Sequence, residues 1–117
     1  MIRDTIKKHD DFAMDEDDPI AKSRYFLIRA KVTKFPRDAR YGLIVTKKTF
    51  KHAVDRNRAK RLLRDWIAFN EDLMLSDLDY IFIAHNCLLN CNRESGRAKV
   101  AKALDKISKS YIKNAKQ

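Results

Sequence analysis

A chain of 117 residues with 26 Lys and Arg against 16 Asp and Glu carries a formal net charge of +10, which predicts one domain with a modest core and a nucleic acid or anionic membrane surface as partner. No stretch approaches the roughly 20 apolar residues of a membrane span, and the N-terminal segment has no apolar run fit for a signal peptide, so a soluble cytoplasmic protein is expected. Only Gly42 and Gly96 are available for a phosphate loop, and no Ser, Cys or His stands in a nucleophile motif, which removes support for catalysis by the protein itself.

In chain order, the residues near Thr5 to Met14 suggest a short helix. The run Asp15, Glu16, Asp17, Asp18, Pro19 reads as a solvated loop or helix terminus, because the ligand spacing of a calcium loop is absent. "RYFLIRAKV" alternates, with Phe26, Ile28, Ala30 and Val32 on one face and Tyr25, Leu27, Arg29 and Lys31 on the other. "KFPRDAR" supplies a turn through Pro36 and Asp38. "YGLIVTK" is a second strand, followed by a basic helix from about His52 to Asn70; "DYIFIAH" is a third strand, rich in β-formers. From Arg93 to Lys116 the positions Ala101, Leu104, Ile107, Tyr111 and Ile112 mark a closing amphipathic helix. The predicted fold is therefore a single α+β domain over residues 1–117, a two-layer sandwich with helices covering a small sheet.

The basic helix carries the chemistry. At about 100° per residue, Ala59, Leu62, Leu63, Trp66 and Ile67 fall on one arc of "VDRNRAKRLLRDW", while Asn57, Arg61 and Arg64 occupy the opposite arc with Arg58 and Lys60 flanking it. Arg56 projects at the border, in the first turn, where its long side chain can snorkel outward. A solvated face usually interleaves signs, yet Lys47 to Arg64 holds eight Lys or Arg and one acid, Asp55. Such a face repels itself unless a polyanion covers it. The bias belongs to the body of the domain: residues 1–22 hold seven of the acids against four bases, leaving 22 bases and nine acids in the rest.

"HNCLLNC" brings His85, Cys87 and Cys91 together, but a structural zinc site wants four ligands and no second pair exists, with His9 and His52 isolated. Reduced, structural cysteines are the expected reading.

"YGLIVTKK", "AVDRNRAKRLLRDW" and "DYIFIAH", taken together and in this order, resemble the protein subunit of bacterial ribonuclease P. The core of that family's signature, Arg-Asn-Arg followed by x-Lys-Arg-x-x-Arg, is complete here as Arg56, Asn57, Arg58, Lys60, Arg61 and Arg64. The resemblance implies a ribonucleoprotein endonuclease that removes the 5′ leader from precursor tRNA, with the chemistry in the RNA subunit and Mg²⁺ bound mainly by RNA. It implies an αβββαβα-like order, adding a short strand after the N-terminal helix and a left-handed βαβ crossover shared with some ribosomal proteins. Its partners would be ribonuclease P RNA, docked on the six signature residues, and precursor tRNA, with no membrane and no protein partner required. A cleft between the N-terminal helix and the sheet would hold the single-stranded leader. Phe12, Phe26, Gly42 and Lys48 match its aromatic and strand positions; strand alternation puts Phe26 equally well in the core, whereas Tyr25 and Arg29 share the other face.

Three departures stand out. Glu16 and Arg29 occupy positions where some members carry aromatics, and Phe50, Lys51 and His52 fill a turn where many have glycine. A ribosomal or RNA-chaperone-type binding protein would share the charge and fold without accounting for the complete signature helix. A membrane-surface protein would share the basic helix, but Leu63 and Trp66 look committed to a core.

Overall fold

The computed structural model of the protein describes residues 4–5, 18–33 and 40–115. Strands β1 (Asp4–Thr5), β2 (Ile20–Lys22), β3 (Phe26–Val32), β4 (Arg40–Ile44) and β5 (Leu78–Ala84) form one sheet in the spatial order β1-β4-β5-β3-β2. Helix α1 (Ala53–Phe69) joins β4 to β5, and α2 (Arg93–Ala115) closes the chain. β4 and β5 are parallel neighbours, with Gly42 opposite Ile81, so α1 is the helix of a βαβ crossover. β3 runs antiparallel to both β2 and β5. The expected α+β architecture is the observed one.

The two-residue period of the strands gives the sheet two unlike faces. On one, Phe26, Ile28 and Ala30 stand opposite Ala84, Phe82 and Tyr80, all buried. This face meets the helices, with the Phe26 and Trp66 ring centroids 6.2 Å apart. On the other, Ile20, Arg29, Ile81 and Gly42 form a single row across β2, β3, β5 and β4. The expected strand alternation holds from Phe26 to Ala30 and fails at its ends. Val32 is 65% exposed at the last position of β3, and Tyr25 precedes the strand.

α1 buries the arc its sequence marks: Ala59, Leu63, Trp66 and Ile67 are buried and Leu62 packs against the core. Burying a side chain of Leu or Ile size stabilises by about 1.5–3 kcal/mol. The helix stops at Asn70, whose side-chain amide donates to the Trp66 carbonyl at 2.9 Å and across to the Arg97 carbonyl of α2 at 3.0 Å. α2 begins where the Asn92 carboxamide oxygen accepts the Ser95 N–H at 2.7 Å, satisfying one of the orphan donors of the first turn. Its buried stripe is Gly96, Val100, Ala103, Leu104 and Ile107. The expected stripe is thus right at Leu104 and Ile107, and Tyr111 packs against the core, while Ala101 is half-buried and Ile112 is 47% exposed. The cause is at the N-terminal end, where a Cβ on Gly96 would overlap the Trp66 indole. Lacking one, α2 turns Gly96 toward α1, and Val100 and Ala103 follow it inward.

Sequence periodicity misses β1 and β2, which are two and three residues long, too short to display alternation. β2, antiparallel to β3, occupies the place of the added strand that the family resemblance implies. Thr5 lies in β1, so no helix starts there. The remainder of that expected helix, Phe12, Glu16 and the turn at 34–39 lie outside the described residues.

Candidate nucleic-acid interface

Helical geometry turns the polar arc of α1 to the surface. Asn57, Arg58, Arg61 and Arg64 are exposed and Lys60 is half-buried. Arg56 differs from the outward snorkelling expected of it: its Nη1 donates to the carbonyls of Phe50 at 2.9 Å and Lys51 at 3.1 Å. A guanidinium has five donors, so Arg56 closes the entry to the helix and keeps donors for a phosphate. The same entry explains the bulky turn. Phe50 is buried, its N–H donates to the Thr46 carbonyl at 2.9 Å, and Thr46 Oγ1 accepts the Thr49 N–H at 3.2 Å.

Beside the arginines lies a hollow of about 200 Å³ lined by Arg58, Arg61, Leu62, Asp65 and Arg93. Arg93 comes from α2, so α1 periodicity alone could not have found it. Asp65 would place a negative charge in the hollow, but Arg97 holds it with two hydrogen bonds of 3.1 and 3.0 Å, and Arg93 approaches to 3.8 Å. The Arg97 hydrogen bonds draw the Asp65 carboxyl below the usual carboxylate range; partial burial opposes them, and the charges of Arg97 and Arg93 add to the lowering. With Asp65 engaged, the exposed guanidiniums present an electropositive surface of planar forks suited to phosphate oxygens.

The residues expected in the leader cleft do not assemble as one group. Phe26 is fully buried on the helix side of the sheet, against Trp66, and offers no surface to a nucleotide. That assignment is corrected: its strand register places it in the core. Tyr25 does not share a face with Arg29, because it sits ahead of β3 with Lys99 of α2 5.6 Å from its ring centroid. Arg29 does face away from the helices, half-buried in the row with Ile81 and Gly42, and its buried Nε has no hydrogen-bond partner. Lys48 is exposed in the turn after β4. The cysteines have a structural use: Cys87 Sγ donates to the Arg24 carbonyl at 3.1 Å, and Cys91 is buried in the core.

The family model described as Ribonuclease P matches residues 3–108. The chain belongs to the ribonuclease P protein family. Relatives named ribonuclease P protein component include one from Desulforapulum autotrophicum, 30% identical over 90% of this chain and 88% of that protein. Another, from Lactobacillus delbrueckii, is 33% identical over 86% of this chain and 84% of its own length. A Marinomonas relative is 40% identical, and its match spans 63% of this chain and 55% of that protein. The structure of the Staphylococcus aureus RNase P protein superposes with a TM-score of 0.72 at 25% identity, covering 86% of this chain and 92% of that one. The Thermotoga maritima RNase P protein, at 19% identity and a TM-score of 0.62, shares the fold. Asn57, Arg58, Arg61 and Arg64 thus lie exposed on a helix of the family's own fold.

Proposed function

We propose that this chain is the protein component of a ribonuclease P ribonucleoprotein that removes the 5′ leader from precursor tRNA in the cytoplasm. The observation that carries the reading is the complete Arg-Asn-Arg signature on α1, with Arg58, Arg61 and Arg64 exposed beside Arg93 while Asp65 is neutralised by Arg97. In this reading the face docks on ribonuclease P RNA, whose phosphates supply the countercharge that the protein lacks. Phosphate contacts of this kind fix register and orientation, and they leave the phosphodiester chemistry to the RNA. In this reading Mg²⁺ would be held mainly by RNA.

The leader would run along the sheet face opposite the helices, with Arg29 and Lys48 as cations and Phe12 as the stacking aromatic. Arg29 supports this role through its unpartnered Nε on that face. Phe12→Ala should then cost about 1–3 kcal/mol in binding precursor tRNA and spare mature tRNA, which has no leader to stack.

The test is reconstitution of the full chain with a ribonuclease P RNA and a leader-bearing precursor tRNA. Leader release is expected only with the RNA subunit present. Leader removal by rigorously RNA-free protein, or no effect of the protein on the RNA-catalysed reaction, would overturn the reading.

A further inference from the structure

A second basic surface lies away from α1. Between β2, the outermost strand of the sheet, and α2 runs a groove of about 540 Å³ whose lining includes Lys22, Arg24, Lys99, Lys102, Lys106 and Lys109. Among the described residues its one acid, Asp105, is bound by Lys109 at 3.0 Å, so that negative charge is already matched by one of the groove's own lysines. At about 100° per residue, Lys99, Lys102 and Lys106 fall within about 60° of one another on α2, on the flank opposite Arg93 and Arg97. The latter two face Asp65 of α1. The body of α2 therefore separates this groove from the signature face.

An independent feature adjoins two of the lining residues. The Tyr25 ring, half-buried, is near two of the lining cations, with Arg24 Cζ 6.0 Å and Lys99 Nζ 5.6 Å from its centroid. Its backbone is fixed from the far side of β3. The His85 N–H donates to the Tyr25 carbonyl at 3.0 Å, Cys87 Sγ donates to the Arg24 carbonyl, and the Tyr25 N–H reaches Ser23 Oγ at 3.3 Å. "HNC" thus serves to hold an aromatic and a cation in place.

We propose that the groove between β2 and α2 is a second RNA-binding site, which takes a single-stranded segment with its phosphates along Lys99, Lys102 and Lys106 and a base against Tyr25. A positively charged groove with an aromatic at its edge is how sequence-tolerant single-strand binding is built, because cations track the backbone and every base has a face to stack. A duplex would keep its bases stacked inside and make no use of Tyr25. The site requires only an RNA strand and is independent of the α1 docking reading.

The experiment measures binding of the full chain to a labelled oligouridylate of about ten nucleotides, within the usual range of single-strand site sizes, across a salt series. Lys99, Lys102 and Lys106 are exposed, so K99A/K102A/K106A should keep its native circular dichroism. It is expected to bind at least about tenfold more weakly, with the log-log salt slope shallower by about 2. Tyr25→Leu, which keeps the apolar contact and removes the ring, should weaken binding about fivefold or more. R58A/R61A/R64A should retain most of its oligouridylate affinity while losing affinity for ribonuclease P RNA, which separates this site from the α1 reading. Unchanged oligouridylate affinity and slope in the groove variant would overturn the proposal. So would equal competition by a duplex of the same length, or a groove variant impaired only toward anionic phospholipid vesicles.

Discussion

Gly96 and Trp66 form the most demanding contact between the two helices, since the indole occupies the space a Cβ on Gly96 would need. Gly96→Ala should lower stability by about 1–3 kcal/mol through overpacking, although alanine is the better helix former, and thermal melts of the two proteins would measure it. Phe26 makes the complementary case. Its truncation to Ala should cost about 3–5 kcal/mol of stability and impair precursor and mature tRNA binding together, the signature of a core residue. A selective loss for precursor tRNA with an unchanged melt would return Phe26 to the leader site. Residue roles were legible where a period reports them, as for Leu63 and Trp66 on α1. They were illegible where a partner from elsewhere decides: nothing local to "DRNR" announces that Arg56 turns back to the Phe50 and Lys51 carbonyls, or that Tyr25 leaves the strand pattern to lie beside Lys99.

Helices α1 and α2 are joined at one end by a set of unlike contacts. Asn70 donates to carbonyls of both helices, Arg97 pairs with Asp65, and the Arg97 guanidinium stacks 4.3 Å from the Phe69 ring centroid. Asn70→Ala would remove the side-chain donor that ties the Trp66 and Arg97 carbonyls together, leaving the carbonyl end of α1 only the backbone N–H of residue 70, and the loss of the two bonds should cost about 1–3 kcal/mol, read by chemical denaturation. The Asp65 pair gives a pH signature. Because the folded carboxyl titrates below its unfolded value, its contribution is fully present above the ordinary carboxylate pKa of about 4 and is lost as pH falls through the lower folded value. The stability gap between wild type and Asp65→Asn should therefore be constant near neutrality and close only in the acid range. The extents of α1, β3, β5 and α2 could all be read from the sequence to within a residue or two, because each is long enough to show its period. β1 and β2 could not, since two or three residues carry no pattern and their existence depends on the neighbouring strand.

Across the molecule, the excess of cations is divided between two surfaces set on either flank of α2: the signature face of α1 with Arg93, and the groove beside β2. The sequence disclosed the first because its charges are contiguous on one helix. The second draws on Lys22 and Arg24 from one end of the chain and on lysines 99–109 from the other, so only the folded sheet brings it together. The proposed role of the first surface as the RNA dock is the central claim. The most direct measurement of that claim is the affinity of the full chain for ribonuclease P RNA across a salt series, for wild type and for R58A/R61A/R64A. Removing a cation that neutralises one phosphate should take roughly 0.7–0.9 from the log-log slope, so the variant should bind more weakly with a slope shallower by about 2 or more and a native circular dichroism spectrum. An unchanged affinity and slope in a natively folded variant would contradict it and return the face to solvent.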